Sequence, residues 1–338
     1  MAYTRKVQKI GQSLFISLPK TWAKQINLSQ GDTVTLVEQP DGSLVLHSEA
    51  KRKKLKQTSL VVLTEEPVRS LRRRITGAYV DGFDLITLEA PEKFTSEQEE
   101  TIRRIITELP GLEIVQSSSN IIMIQCLLTR TLPIEQMVQR IHAAIRSMFE
   151  EVIVALSEEE ATRASGIVAR TRDVKQLSLV LHRLLRSLIL FPGEQTTEMK
   201  AIDSVDFLRV IDRLSEVSGR IRRIAETLTV WGHITLNPVT QKLLETCKGT
   251  MEIYDCSVKA LMIKDVSLAN TVLDKEAELD LEDPLNLLLK AGQDAQVSTS
   301  VFSYVHRIID CLMHIIRCSV EIAEIAIDRA EEAQLRLG

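Results

Sequence analysis

The sequence predicts a multidomain protein with a small all-β head, a small α/β module and a large all-α body. The chain has 338 residues, and single hydrophobic cores stop growing near about 250 residues, so two or three domains are expected. Apolar and polar residues alternate with a period of two in the head, whereas strand and helix patterns alternate over residues 57–131. From Pro133 onward, apolar residues recur at helical spacing. We therefore divide the chain into a head (1–50), a basic linker with the α/β module (51–131) and a helical body (132–338).

Two β-hairpins and a short helix are expected in the head. Gly-Gln at 11–12 and Asp-Gly at 41–42 suit tight hairpin turns, and Pro19 suits the first turn of a helix over residues 19–26. The predicted strands are Arg5–Ile10, Ser13–Ser17, Thr33–Gln39 and Ser43–Ser48. Such short elements make a poor core, so the head is expected to need a partner chain that covers its apolar faces.

The α/β module is predicted from a β-α-β-α-β-β order of patterns. Thr95 or Ser96 can cap its second helix, and Pro110 and Gly111 end that helix. The predicted elements are strand Ser59–Leu63, helix Pro67–Val80, strand Asp84–Leu88, helix Ser96–Leu109, and strands Leu112–Ser117 and Ile121–Leu128. This order is typical of a small two-layer fold.

Six long helices are predicted in the body, because its aliphatic stripes must be buried against neighbouring helices. Their predicted bounds are 133–158, 159–191, 200–230, 239–264, 265–292 and 295–335. Asp212 and Asp310 lie 98 residues apart, and each is followed twelve residues later by Ile-Ala-Glu. Since the third and sixth helices thus correspond, we expect two three-helix repeats, at about 133–230 and 239–335.

Charge is unevenly distributed along the chain. The whole sequence carries 42 Lys and Arg against 46 Asp and Glu, a net charge of −4, which alone argues against nucleic-acid binding. Residues 1–56 carry ten basic and four acidic residues, a net of +6, and residues 57–338 therefore carry −10. Five of the ten basic residues fall in the run 51–56, which is either a solvated linker or an interaction arm.

The sequence predicts a cytoplasmic protein with no membrane insertion. No apolar run approaches the ~20 residues of a membrane span, and the N-terminus lacks the apolar stretch of a signal peptide. The five cysteines form no C-x-x-C pair and are expected to be reduced core thiols without ligand neighbours at zinc spacing. His142, His182 and His306 are expected to be packed or solvated helix residues.

Three runs in the head, Val7–Gly11, Ile16–Trp22 and Gly31–Val34, resemble the AbrB/SpoVT swapped-hairpin DNA-binding domain. The resemblance implies a homodimer in which two chains interleave hairpins, with basic side chains that neutralise the phosphates of duplex DNA. The candidate DNA-binding residues are Arg5, Lys6, Lys9, Lys20 and Lys24.

Shared faces support some of these candidates. Arg5 and Lys9 are expected on one face of a strand, and Lys20 and Lys24 on one face of a helix. The alternative is that these side chains only keep the surface soluble. A head of this kind can also serve as a plain dimerisation or antitoxin module.

The aliphatic helices of residues 133–335 resemble PhoU, the phosphate-uptake regulator, and the order of parts resembles archaeal PhoU-like proteins with an AbrB-type head. The resemblance implies that the body senses phosphate status or binds a partner such as the ATPase of a phosphate transporter. PhoU-like proteins carry multinuclear metal clusters on E/D-x-x-x-D motifs. The positions that match this motif, with histidine replacing the last acid in one case, are Asp212 with Glu216, Asp274 with Glu278, and Asp310 with His314.

A bound transition metal, namely iron, zinc or nickel, is therefore a candidate cofactor. A spacing of four places both side chains of a pair on one helix face, and His314 favours a transition metal over calcium or magnesium. Thr171 and Lys175 stand at the corresponding place in the second helix, so this helix lacks the acidic residues of the motif. The alternative is a solvated acidic surface with ordinary helical spacing.

Regulation is expected rather than catalysis. The sequence contains no Walker loop, no G-x-G-x-x-G, no G-x-S-x-G and no H-E-x-x-H motif. The predicted function is a DNA-binding transcriptional regulator of phosphate uptake. Two alternatives stay open: a dimeric signalling adaptor that modulates a phosphate transporter without binding DNA, and a metal-binding helical-bundle protein or enzyme.

Overall fold

The chain separates into two compact units, residues 1–57 and residues 58–338. Within the described residues, no helix is long and apolar enough to cross a membrane. The structure, a computed structural model, describes residues 3–25, 28–38, 42, 44–48, 55–128, 133–158, 166–190, 199, 201–232, 237–278, 286 and 299–335.

The first unit contains the two predicted hairpins and the helix between them. Its elements are β1 (Gln8–Ile10), β2 (Ser13–Phe15), α1 (Lys20–Gln25), β3 (Val34–Glu38) and β4 (Leu44–Ser48). The strands pair antiparallel, β1 with β2 and β3 with β4. Gly11 turns the first hairpin at a φ of 64°, where a side chain would be strained.

The first strand is shorter than predicted. It begins at Gln8 and not at Arg5, because the register pairs Gln8 with Phe15, where β2 ends. Arg5 therefore precedes the strand, and the prediction that Arg5 and Lys9 share one strand face is wrong for this chain. Lys20 and Lys24 both lie in α1, as predicted.

The described part of the head lacks a core of its own. Not one residue whose burial is described between 3 and 48 is buried. Leu14 is 75% exposed and Leu44 is 65% exposed. Apolar side chains that are exposed in the same unit are Val7, Ile10, Leu14, Phe15, Ile16, Leu18, Leu36 and Leu44. A single head therefore leaves in water the apolar surface that normally stabilises a domain.

The α/β module has the predicted order of elements and opens the second unit. Its elements are β5 (Gln57–Val61), α2 (Val68–Val80), β6 (Leu85–Glu89), α3 (Ser96–Glu108), β7 (Leu112–Ser117) and β8 (Ile121–Cys126). They form one four-stranded sheet in the order β5-β6-β8-β7, with β8 antiparallel to both neighbours. Thr95 and Gln98 form a reciprocal capping box that starts α3. Alternate residues of the sheet pack against the buried stripes of both helices in one cluster.

The body consists of long helices, as predicted. Their bounds are α4 (Ile134–Ser157), α5 (Gly166–Leu190), α6 (Ala201–Trp231), α7 (Pro238–Ile263), α8 (Val266–Glu278) and α9 (Thr299–Leu335). Buried aliphatic side chains from all six helices form one continuous core. The predicted ends of the second and fifth helices, at 159–165 and 279–292, fall outside the described residues, except for residue 286.

α6 and α9 lie antiparallel along most of their length. Near one end, Asp203 Oδ1 is 3.4 Å from Arg329 Nη2. Near the other end, the rings of Trp231 and Tyr304 are 5.8 Å apart. Because these are the third and sixth helices of the body, the contact joins the two halves that the sequence predicts to be repeats.

Two arginines of α5 in the body bind residues of the α/β module. Arg183 is 6% exposed and donates to the carbonyl oxygen of Tyr79 at 2.6 Å and to Asp84 Oδ1 at 3.1 Å. Nearer the surface, Arg186 pairs with Asp81 at 2.5 Å. The module is therefore part of the same compact unit as the helices, and its core contacts are supplemented by a buried ion pair.

The cysteine thiols differ strongly in accessibility, which predicts their reactivity. Cys247 is fully buried, and burial raises the pKa of its thiol to about 12, whereas Cys256 is only partly buried. Since the thiolate is the reactive form, iodoacetamide at pH 8 should label Cys256 first and Cys247 at least about 100-fold more slowly. Mass spectrometry of peptides after timed labelling checks this, and equal rates at the two thiols would contradict it.

Candidate metal centre and nucleic-acid interface

The predicted DNA-binding side chains are all exposed. Lys9 lies in β1, Lys20 and Lys24 lie at the two ends of α1, and Arg5 and Lys6 lie in the segment before β1. The Arg5 guanidinium donates to the carbonyl oxygen of Thr4 at 3.1 Å. Within the described part of the head, none of the five forms an ion pair, so their charges are available to an anionic partner.

One head acid is already engaged by the backbone. Asp32 Oδ2 accepts a hydrogen bond from the Ser29 N–H at 2.6 Å, and this contact closes the turn before β3. The carboxylate therefore stabilises the fold locally and does not neutralise one of the candidate lysines.

Among the predicted metal ligands whose side chains the structure describes, no single cluster forms. Asp212 lies beside α5, with Oδ1 3.1 Å from His182 Nε2. Asp310 Oδ2 is 3.7 Å from Arg220 Nη1. Asp274 is exposed on α8, Glu278 is the last residue of that helix, and the side chain of Glu278 lies outside the described residues. Asp212 and Asp310 thus each contact a residue outside their own motif, and cation binding by the i,i+4 pairs stays a prediction.

His182 is a packed helix residue, as predicted, and it also has an acidic partner that the sequence did not indicate. Burial lowers the pKa of its imidazole, while the neighbouring Asp212 carboxylate opposes that shift. The ring is therefore neutral near pH 7. This contact joins α5 to α6 and does not involve His314 or Cys318 of α9.

Three potential ligands from α6 and α9 do converge. Glu216 lies on α6 and His314 and Cys318 lie on α9, and one ligand atom of each lies within 4.8 Å of the others. His314 Nε2 is 3.6 Å from Glu216 Oε2. The Cys318 thiol donates to the same oxygen at 3.3 Å. Among the described residues, no other group of three such side chains comes together.

Sequence reasoning found two of these residues and missed the third. Cys318 follows His314 by four residues, which places both on one face of α9. The prediction that the cysteines have no ligand neighbours is therefore wrong, and the His-x-x-x-Cys spacing could have revealed the neighbour. Glu216 was predicted as a ligand beside Asp212, and only the structure shows that it meets His314 and Cys318, because that contact depends on how α6 lies against α9.

Two arginines surround the Glu216–His314–Cys318 cluster. Arg213 Nη1 is 2.8 Å from Glu216 Oε2, and Arg213 Nε is 3.0 Å from Glu321 Oε2. Arg220 Nη2 lies 3.3 Å from His314 Nε2. Because a guanidinium can only donate, Nε2 accepts this bond and the imidazole carries its proton on Nδ1.

The protonation of Cys318 follows from the same surroundings. Burial is the main cause that raises the pKa of this thiol to about 12, and its hydrogen bond to the Glu216 carboxylate adds to the shift. The thiol is thus protonated in the metal-free protein. The cluster combines oxygen, nitrogen and sulfur donors, a set typical of sites for zinc and related metals.

Comparisons with known proteins identify the head. Residues 7–57 match the family described as antidote-toxin recognition MazE, bacterial antitoxin. No curated protein matches the chain. Among solved structures, the chain is similar to PhoU from Pseudomonas aeruginosa, with a TM-score of 0.47 and 14% sequence identity over 59% of this chain and 96% of that chain. The AbrB-type resemblance of the first part of the sequence is thus confirmed, and the chain carries a MazE/AbrB-like domain at its N-terminus.

Proposed function

We propose that the protein is a dimeric, cytoplasmic, DNA-binding regulator of phosphate uptake or phosphate signalling. In this proposal the head binds duplex DNA, and the helical body is the sensor or the surface for a partner such as a transporter ATPase. The observation that carries it is the combination, within one small head, of unpaired exposed cations and uncovered apolar side chains.

A second copy of the chain is the partner that the apolar side chains of the head require. The exposed residues come from both hairpins, including Leu14 in β2 and Leu36 in β3. Two heads that interleave these hairpins would bury the surface on both chains, as the AbrB-like resemblance implies. Burial of a leucine side chain contributes about 1.5–3 kcal/mol, so the exposed apolar residues of two heads can together offset the entropy lost on association.

Dimerisation also makes the head a better ligand for DNA. Residues 1–50 carry five basic and four acidic residues, so one head has little net charge. Pairing doubles the number of placed cations on one surface, and the basic run at 51–56 adds five more per chain. Each contact with a phosphate releases counterions and strengthens binding at low salt.

Replacement of Lys9 by alanine should weaken binding to duplex DNA of any sequence. Two phosphate contacts are lost per dimer, so the slope of log K against log salt should become less steep by about two. Titration of a labelled duplex with the full-length protein at several salt concentrations measures both quantities.

The matched control is Lys93→Ala, which removes an exposed lysine from the α/β module. Its slope should equal that of the unaltered protein. If the unaltered protein does not bind DNA even at low salt, the adaptor alternative is favoured, in which the head only joins two chains.

A regulatory role also fits the body better than an enzymatic one. Its ionisable side chains near α6 pair with one another, as His182 does with Asp212 and Arg213 with Glu321. A binding event that changes such pairs can alter the packing of α6 and α9, and this is the kind of change that a sensor transmits.

A further inference from the structure

We propose that Glu216, His314 and Cys318 form a binding site for a single transition-metal ion that links α6 to α9. The site goes beyond the DNA-binding function and gives the body a ligand of defined chemistry. It also differs from a multinuclear carboxylate cluster, because it contains one carboxylate, one imidazole and one thiol.

Both separations from the Glu216 carboxylate oxygen fit one metal ion, and the His314 and Cys318 donor atoms lie within 4.8 Å of each other. Metal bonds to nitrogen, oxygen and sulfur of about 2.0–2.3 Å place neighbouring ligand atoms about 3.2–3.8 Å apart. The Glu216 carboxylate oxygen lies 3.6 Å from His314 Nε2 and 3.3 Å from Cys318 Sγ. An ion could therefore be held with small side-chain movements.

The donor types select the class of metal. A thiolate and an imidazole favour Zn²⁺, Ni²⁺, Co²⁺ or Fe²⁺, whereas Mg²⁺ and Ca²⁺ require oxygen ligands. Glu216 and His314 are partly exposed, with side-chain exposures of 42% and 34%, so an ion can enter from solvent. Cys318 is buried and forms the floor of the site.

In the metal-free protein, Arg213 forms an ion pair with the Glu216 carboxylate. Its guanidinium lies 2.8 Å from Glu216 Oε2 and 3.0 Å from Glu321 Oε2, so it bridges α6 to α9. When a divalent ion binds, the Cys318 thiol releases its proton to solvent and the carboxylate exchanges Arg213 for the metal. Arg213 keeps Glu321 as its partner, and a metal-mediated link then replaces one arginine contact.

The charges around the site allow this exchange. The contacts join three carboxylates (Glu216, Asp310 and Glu321) to two guanidiniums (Arg213 and Arg220), which leaves a net charge of −1. A divalent ion that displaces one thiol proton adds a single positive charge and brings this network to neutrality. Arg220 must give up His314 Nε2, and it can retain Asp310.

Cobalt titration of chelator-treated full-length protein tests the site. We expect a near-ultraviolet band of sulfur-to-cobalt charge transfer together with the visible bands of bound Co²⁺, saturating at one ion per chain. Cys318→Ser should remove the charge-transfer band and weaken binding by about tenfold or more, because a thiolate ligand is lost. Cys311→Ser, on the same helix and also buried, is the matched control and should keep the band.

A second variant separates the proposal from a folding defect. Arg213→Met leaves all three ligands in place and removes the competitor for Glu216, so it should tighten cobalt binding about tenfold. A charge-transfer band that persists in Cys318→Ser, or the absence of any band in the unaltered protein, would overturn the proposal. DNA binding by the head, measured on the same samples, remains an independent test of the proposed function.

Discussion

Replacement of Leu14 by aspartate is expected to convert the proposed homodimer into monomers and to lower the affinity for duplex DNA by about 100-fold or more. Leu14 is 75% exposed in a single head, so it contributes nothing to the core of one chain. In a dimer it would be covered, and each of the two copies would lose about 1.5–3 kcal/mol of burial. An aspartate there must also lose its hydration without a partner, which adds to the cost.

Sedimentation equilibrium of the full-length variant measures the first effect, and DNA titration measures the second. Leu127→Asp is the matched control, because Leu127 is 59% exposed in the second unit and lies after the last strand of the module. This control should remain dimeric and bind DNA normally. A Leu14→Asp protein that stays dimeric would show that the chains associate through another surface.

The periodicity of the sequence was sufficient to predict most of the secondary structure. Period-two alternation located both hairpins of the head, and aliphatic stripes located the helices of the body, because each pattern reports burial on one face. Strand ends were less predictable. Whether Arg5 belongs to β1 depends on the hairpin register and on where β2 stops, and the alternation of residue types continues beyond that point.

The candidate metal centre was likewise predictable only in part. His314 and Cys318 share a helix face, so their proximity was readable from spacing alone. Glu216 comes from a helix about one hundred residues earlier in the chain, and its partner is decided by the antiparallel packing of α6 on α9. Asp212, one turn away from Glu216, instead contacts α5. Helical spacing identifies which residues share a face, but it does not identify the neighbouring helix that each one meets.

The contact between the α/β module and the body also could not be predicted from the sequence. Arg183 lies among leucines in α5, and Asp84 directly precedes β6 of the module, 99 residues away. Nothing in either segment alone indicates that the two charges meet. Their burial is possible because the guanidinium also donates to the carbonyl oxygen of Tyr79 and lies over the Tyr79 ring at 5.2 Å.

Replacement of Arg183 by methionine is accordingly expected to lower the free energy of unfolding of the second unit by about 3 kcal/mol. The methionine keeps much of the apolar volume but leaves the Asp84 carboxylate, which is 8% exposed, without its cation. Removal of one partner from a buried ion pair typically costs about 3–5 kcal/mol. Urea unfolding measures the loss, and amide hydrogen exchange over residues 79–84 should accelerate because these residues form the contact.

Two further variants test the cause of this loss. Arg186→Met removes the exposed partner of Asp81 one turn away and should cost less than about 1 kcal/mol, because exposed ion pairs are screened by water. Addition of Asp84→Asn to Arg183→Met should recover part of the stability, since a neutral amide then replaces the buried carboxylate that has lost Arg183. If Arg183→Met is no more destabilising than Arg186→Met, the ion pair does not hold the module, and its attachment to the body rests on the apolar packing of α2 against α5.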